Sequence, residues 1–137
     1  MRRVLASLVP ALALGGALMF GHAAFAQEAD EATLKRGQRV FLLCRSCHNT
    51  EEDAGNKVGP NLYGVFGRKA GTVPDFKYSD AVVKSGIVWD EHSISEWLTK
   101  PKDFLPGNKM AFRGVDKEED RVALIAYLRK ETAAPAP

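Results

Sequence analysis

Apolar side chains recur with the spacing of an α-helix near the start of the chain's central region. From about Glu31 to Leu43, the residues Leu34, Gly37 and Phe41 fall at positions i, i+3 and i+7 and so share one face. This pattern predicts an amphipathic helix whose apolar face packs against the rest of a small domain.

A similar pattern predicts a second long helix near the end of the chain. Asp116, followed by Glu119 three residues later, gives a capping signal for its N-terminus, and the helix should run to about Lys130. Its apolar face at positions i, i+3 and i+4 consists of Leu124, Tyr127 and Leu128.

Two shorter helices are predicted between these. One spans Ser79 to Ser85 and is closed by Gly86. The other begins at Asp90 or at Ser93, the latter with Glu96 three residues on as in a capping box. It ends before Pro101, which lacks a backbone N–H. Its apolar side consists of Ile94, Trp97 and Leu98.

The remaining stretches, 49–71 and 102–114, hold Gly, Pro, Asn and charged residues without a period, and we predict loops there. No alternation of useful length predicts a strand. The fold class is therefore all-α, with a few short helices and long loops. Packing between such short helices would give only a thin core, so a large buried apolar cofactor should complete it.

The N-terminal segment resembles a secretory signal. Arg2 and Arg3 precede an almost entirely apolar run, and Ala24-Phe25-Ala26 offers a cleavage site before Gln27. The alternative is a retained membrane anchor, but Pro10 and a Gly-Gly pair interrupt the run. We expect residues 1–26 to be removed and 27–137 to form one domain with a frayed Ala/Pro tail at 133–137.

Removal of the signal would leave equal numbers of basic and acidic side chains, 17 of each. Recognition of a partner would then depend on how charge is distributed, because the net charge is zero. No patch of basic and aromatic residues indicates nucleic-acid binding, and no feature indicates dimerisation, so a monomer is expected.

The two cysteines belong to Cys44-Arg45-Ser46-Cys47-His48, the signature of covalent c-type haem attachment. Thiols three positions apart at the end of a helix lie on about the same side, where each can add to one vinyl group while His48 reaches the iron. A thioredoxin-like dithiol would need a strand before the motif, and a zinc site would need two further Cys or His ligands. Neither context is present.

A haem iron held by one histidine needs an open position or a second side-chain ligand. Met110 is the only methionine left once Met1 and Met19 depart with the signal, and prolines 101 and 106 stiffen the loop before it. We therefore expect Met110 to be the second ligand rather than a core methionine. His92 is the rival, but its polar neighbours indicate a surface position.

From about Glu31 to Lys130, the chain resembles the class I c-type cytochromes, on the branch of bacterial cytochrome c2 and mitochondrial cytochrome c. The residues that carry the resemblance are Gly37, Phe41, the Cys44–His48 motif, Gly59-Pro60-Asn61-Leu62, Gly67-Arg68, Tyr78, Trp89, Pro101, the segment from Pro106 to Phe112, and Tyr127.

The resemblance implies the cytochrome c fold around one haem c attached through Cys44 and Cys47. It implies that Gly37 allows the first and last helices to cross closely, with Phe41 and Tyr127 packed at the crossing. The carbonyl of Pro60 should accept the ring N–H of His48. Three further residues should hydrogen-bond the haem propionates: Arg68, Tyr78 and Trp89.

Three positions depart from the family pattern. Trp97 stands where a tyrosine is usual near the ligand sulfur, Val82 where many members have asparagine, and Asn108 where threonine is common. An indole N–H donates but does not accept a hydrogen bond, so the hydrogen bonding around Met110 should differ from the family's.

These features predict a high-potential one-electron carrier rather than an enzyme, since two axial ligands leave no site for a substrate. The resemblance implies electron transfer in a respiratory or photosynthetic chain, from a cytochrome bc1-type donor to an oxidase, reaction centre or dehydrogenase. The signal implies a periplasmic location without stable membrane insertion. The alternative function is a haem sensor or peroxidase-like protein with an open distal site.

Partners should dock at a basic haem edge, although ordinary solvated charges are the simpler alternative and Asp103 and Asp116 interrupt the ring. The residues of this predicted docking surface are Arg45, Lys57, Lys102, Lys109, Arg113 and Lys117.

Overall fold

The computed structural model of the chain describes residues 29–134, and within them five helices connected by long loops. The predicted signal segment lies outside this range, as do the last three residues of the predicted tail. In chain order the helices are α1 (Glu31–Phe41), α2 (Asp80–Lys84), α3 (Glu91–Thr99), α4 (Pro101–Phe104) and α5 (Glu118–Glu131).

The first helix confirms the predicted one, with its end two residues earlier. Its N-terminus is capped by Asp30, whose carboxylate accepts the backbone N–H of Thr33 at 2.8 Å. Gly37 and Phe41 are buried as the pattern predicted, and Leu34 is half-buried. Beyond Phe41 the chain continues in tight turns through the cysteine motif.

The two predicted middle helices are also present. Ser79 caps α2, and Gly86 follows it with φ 70°, a left-handed conformation that glycine adopts without strain. Of the two starts considered for α3, the structure selects Asp90, which forms a capping box with Ser93. Ile94 and Leu98 are buried on its inner side.

Two sequence expectations are wrong in detail. Helix α3 ends before Pro101 as expected, but residues 102–104 are helical rather than loop. Pro101 occupies the first turn of α4, where its missing N–H has no partner to lose. The N-cap of α5 is Lys117, without a side-chain bond, rather than Asp116. The Asp116 carboxylate pairs with Arg113 at 3.8 Å instead.

The fold is organised by the crossing of α1 and α5. A Cβ atom on Gly37 would overlap the backbone of Ala123 and lie 2.6 Å from the Cβ of Tyr127. The rings of Phe41 and Tyr127 pack beside this point with centroids 5.4 Å apart. Arg36 adds an ion pair with Asp120 at 2.6 Å. The close crossing implied by the resemblance is confirmed.

Between α1 and α2 the chain takes an irregular path, as predicted for 49–71. One isolated antiparallel bridge, Lys69 with Val88, ties this loop to the segment before α3, and no strand is formed in the described range. The loop and the helices share one core, whose buried members are Phe41, Val65, Ile94, Leu98, Val115, Leu124, Ile125 and Leu128. Among residues 29–134, no helix has the length and apolar character to cross a membrane.

Candidate functional site

A cavity of about 350 Å³ opens into the core between the long loop, α3, α5 and the segment after α4. Its walls are largely apolar. It brings together all eight site residues expected from the sequence, namely Cys44, Cys47, His48, Pro60, Arg68, Tyr78, Trp89 and Met110. Side chains far apart in the chain therefore face one cavity.

The end of α1 positions the two cysteines. Backbone N–H groups of Cys44 and Cys47 donate to Phe41 and Cys44 carbonyls at 2.8 and 3.0 Å, which winds the motif into consecutive turns. Both thiols are free. Burial raises the pKa of Cys44 to about 11. A redox-active dithiol depends on a lowered thiol pKa, so this environment argues against the thioredoxin-like alternative.

The imidazole of His48 is held from two directions. Its Nδ1 lies 2.7 Å from the carbonyl oxygen of Pro60, to which it donates as the neutral tautomer. Gly59 lies flat against the ring, since a Cβ atom there would overlap it. Burial lowers the pKa of His48 and so favours the neutral ring. The Nε2 nitrogen remains available as a ligand to a metal.

Lys57, expected on the docking surface, has a structural contact as well. Its Nζ donates to the carbonyl of Arg45 at 2.8 Å and lies 3.4 Å from the carbonyl of His48. The ammonium group therefore stabilises the turn that contains His48, although Lys57 is exposed.

Met110 lines the cavity from the loop after α4, together with Phe112 and Asn108. It is half-buried, whereas His92 is exposed on the first turn of α3 and does not line the cavity. The geometry therefore favours Met110 over His92 as a side chain that serves this site.

Arg68, Tyr78 and Trp89 form a polar part of the wall. Arg68 donates to the carbonyl oxygens of Tyr63 at 2.6 Å and Asn61 at 3.0 Å, which fixes its guanidinium. Burial raises the pKa of Tyr78, so its phenol stays protonated and can donate. Trp89 is anchored through its backbone, which exchanges hydrogen bonds with Arg68 and Gly67.

Sequence reasoning missed several residues of the wall. Lys77 and Ser79 flank Tyr78 and also line the cavity, as does Phe76, whose ring packs edge-on against Tyr78 at 4.7 Å. Their position next to Tyr78 in the sequence was the only signal that could have pointed to them. Of the positions that depart from the family pattern, Trp97 and Val82 line the cavity too.

The chemistry of the wall fits a covalently attached haem. Two free thiols, a neutral imidazole and a thioether around one apolar volume are the donor set for such a group, with Arg68 placed to offset acidic substituents. Among residues 29–134 there is no group of three or more His, Cys, Asp and Glu side chains of the kind a zinc site needs.

The six residues of the predicted docking surface are all exposed. Their surroundings are not uniformly basic. Arg113 pairs with Asp116 at 3.8 Å, and Asp103 pairs with Lys100 at 2.7 Å. Part of the positive charge of the surface is therefore balanced locally.

Comparisons with known proteins agree with this geometry. A family model described as Cytochrome c matches residues 34–132. Cytochrome c of Chlamydomonas reinhardtii is 46% identical over 107 residues, which cover 77% of this chain and 96% of the relative. Cytochrome c of Gibberella zeae is 46% identical over 100 residues, covering 72% and 94%. Cytochrome c2 iso-2 of Magnetospirillum molischianum is 49% identical over 89 residues, covering 65% and 91%.

Proposed function

Since the chain belongs to the cytochrome c family, whose members carry one covalent haem c and transfer electrons without being enzymes, we propose that His48 and Met110 are its two axial ligands. The proposal extends to a high-potential one-electron carrier. The observation that carries it is the single cavity lined by Cys44, Cys47, His48 and Met110 together.

The chain's own groups fix the orientation and protonation of His48. The Pro60 carbonyl holds the proton on Nδ1, which leaves the Nε2 lone pair free and makes the ring a better electron donor. Gly59 lies against the ring and limits its rotation, and Lys57 stabilises the backbone turn before it. Little rearrangement of this side is then needed when the charge of the site changes.

Met110 supplies a soft thioether, which favours the reduced state of iron and raises its potential. The bound haem provides a metal that cycles between two oxidation states one electron apart. The chain's own side chains keep water away from it, because Phe112, Trp97 and Leu98 form an apolar wall on the same cavity. Exclusion of water and two fixed ligands both favour rapid electron exchange.

We assign Arg68, Tyr78 and Trp89 to the haem propionates. Each side chain can donate a hydrogen bond, and Arg68 carries a positive charge into a half-buried setting. Such donors offset the free energy that burial of a carboxylate costs. The two backbone bonds of Arg68 keep its guanidinium in place.

Redox complexes are the partners of this family in general, and we propose specific ones for this chain. A cytochrome bc1-type donor and an oxidase, reaction centre or dehydrogenase would bind at the docking surface formed by Arg45, Lys57, Lys102, Lys109, Arg113 and Lys117. All six are exposed, which supports this use. Arg113 is paired with Asp116, so its contribution to long-range attraction should be the smallest of the six.

We also propose that the chain is exported to the periplasm after cleavage before Gln27, and that 27–137 is the functional domain. The sequence pattern of residues 1–26 supports this. Intact mass of the native protein tests it, because a product that begins at Gln27 indicates release and a product that keeps the segment indicates a tethered cytochrome.

Absorption spectra test the function directly. The oxidised protein should show a low-spin c-type spectrum with the weak red sulfur-to-iron band, and the reduced protein should be unchanged by carbon monoxide. A reduced spectrum altered by carbon monoxide would indicate an open or labile distal site and would favour the sensor or peroxidase-like alternative.

Substitution of Val82 with asparagine is expected to shift the midpoint potential measurably. Val82 lines the cavity as an apolar side chain, and an amide there adds a dipole and an anchor for buried water. Voltammetry of both proteins measures the shift, with Val83→Asn as the control because Val83 is 52% exposed. An unchanged voltammogram for Val82→Asn removes the importance assigned to this site.

A further inference from the structure

The side chain of Asn108 makes three hydrogen bonds to the backbone around Met110. Its Nδ2 donates to the carbonyls of Pro101 and Leu105, each at 2.8 Å. Its Oδ1 accepts the backbone N–H of Met110 at 2.9 Å. All donor and acceptor atoms of the amide thus face backbone groups between α4 and Met110.

The orientation of the amide follows from these partners. Two carbonyl oxygens require the NH₂ group, and one N–H requires the oxygen, so the flipped amide would place like poles together. The three backbone partners of Asn108 therefore require a side chain with two donor hydrogens and one acceptor oxygen at fixed positions. A serine or threonine hydroxyl has one donor, and alanine has neither group.

These bonds add to backbone hydrogen bonds at the end of α4. The Pro101 carbonyl also accepts the backbone N–H of Leu105 at 3.0 Å, and the Leu105 carbonyl also accepts the backbone N–H of Asn108 at 3.2 Å. The side chain of Asn108 therefore gives each of these two carbonyls a second hydrogen bond. The same side chain then fixes the residue two positions later, as in an Asx turn.

We propose that Asn108 is the positioning residue that keeps Met110 directed into the cavity, by joining the end of α4 to the Met110 backbone. The inference rests on the proposed ligation by Met110 and adds the element that maintains it. At the position where threonine is common in the family, asparagine has a second donor, so one side chain can bond both carbonyls at once. Loss of these three hydrogen bonds should allow the loop to open locally and release the Met110 sulfur from the iron.

The experiment uses the purified haem protein and two readouts. The first is the hydrogen-exchange rate of the Met110 amide in the reduced protein, by NMR. The second is the affinity of the oxidised protein for imidazole, which displaces the sulfur and removes the red band. Asn108→Ala should increase both by about tenfold or more, the factor expected when hydrogen bonds of this kind are lost. Asn108→Ser keeps one acceptor and should fall between.

Asn56→Ala is the matched control. Its amide also joins backbone groups, donating to Pro74 at 2.9 Å and accepting from Asn61 at 2.9 Å, but in the loop that precedes Gly59. It should lower the melting temperature and change both readouts by no more than about twofold. If it raises imidazole affinity as much as Asn108→Ala does, general instability explains the effect and the proposal is overturned.

The two readouts distinguish a failure of the proposed Met110 ligation from a failure of the proposed positioning role of Asn108. A wild-type spectrum without the red band contradicts ligation by Met110, while amide exchange still reports on the bond from Asn108. Wild-type values of both readouts in Asn108→Ala overturn the positioning role. Should Asn108→Ala not yield folded haem protein, Asn108→Ser decides, because intermediate values support the role and unchanged values overturn it.

Discussion

The reduced Met110→Ala variant is expected to bind carbon monoxide to saturation, whereas the reduced wild-type protein should not bind it. Alanine has no atom that can reach the iron, and among residues 29–134 the cavity wall has no other sulfur besides the two cysteines of the attachment motif. The red band of the oxidised protein should disappear. The midpoint potential should fall by on the order of 100 mV, within the ~0.8 V range that axial ligands control.

The control is His92→Ala, which removes the rival ligand. His92 is exposed at the start of α3 and lies outside the cavity, so its loss should leave spectrum, potential and carbon monoxide response unchanged. The opposite pattern, with a normal spectrum in Met110→Ala and an altered one in His92→Ala, would show that the ligand assignment is wrong.

Replacement of Gly37 with alanine is expected to cause a large loss of stability. The new Cβ would overlap backbone atoms of Ala123, which cannot rotate away, and would lie 2.6 Å from the Cβ of Tyr127. Alanine favours helix by about 1 kcal/mol over glycine, but overpacking at a backbone contact costs ~3 kcal/mol or more. The net loss of about 2 kcal/mol should lower the melting temperature by roughly 10 °C.

Thermal unfolding followed by circular dichroism measures this, with Gly55→Ala as the control. A Cβ at Gly55 would meet nothing within 4 Å, so that variant should melt with the wild type or slightly above it. A Gly37→Ala protein with unchanged melting would mean that α1 and α5 can separate at low cost and that their crossing does not limit stability.

The helices could be predicted because their causes are local. The apolar spacing of α1 and α5, the glycine after α2 and the polar start of α3 each act within a few residues, and all four helices are confirmed with ends shifted by two residues or fewer. The errors share a cause. Pro101 begins α4, and Asp116 pairs with Arg113 instead of capping α5. Each residue is compatible with two local roles, and the sequence pattern does not distinguish between them.

The candidate site was predictable to a different depth at each residue. Cys44, Cys47 and His48 are adjacent, so their spacing is itself the signal. Pro60 and Met110 came from elimination and resemblance, and the structure places both at the cavity. No sequence pattern predicted that Lys77 and Ser79 line the cavity. Asn108 departs from the threonine common in the family, but the sequence does not predict its three backbone bonds, because they depend on the path of the loop after α4.

The sequence by itself determined the all-α class and the attachment motif, because apolar spacing and the positions of adjacent residues act within one or two helical turns. The resemblance added two contacts that spacing does not predict, the helix crossing at Gly37 and the bond from His48 to Pro60. Only the tertiary structure decided that Lys57 donates to the carbonyl of Arg45 and that the side chain of Asn108 bonds the backbone of Met110. These contacts join residues through loops without a period. Their positions follow from packing around the common core, which local side-chain patterns do not encode.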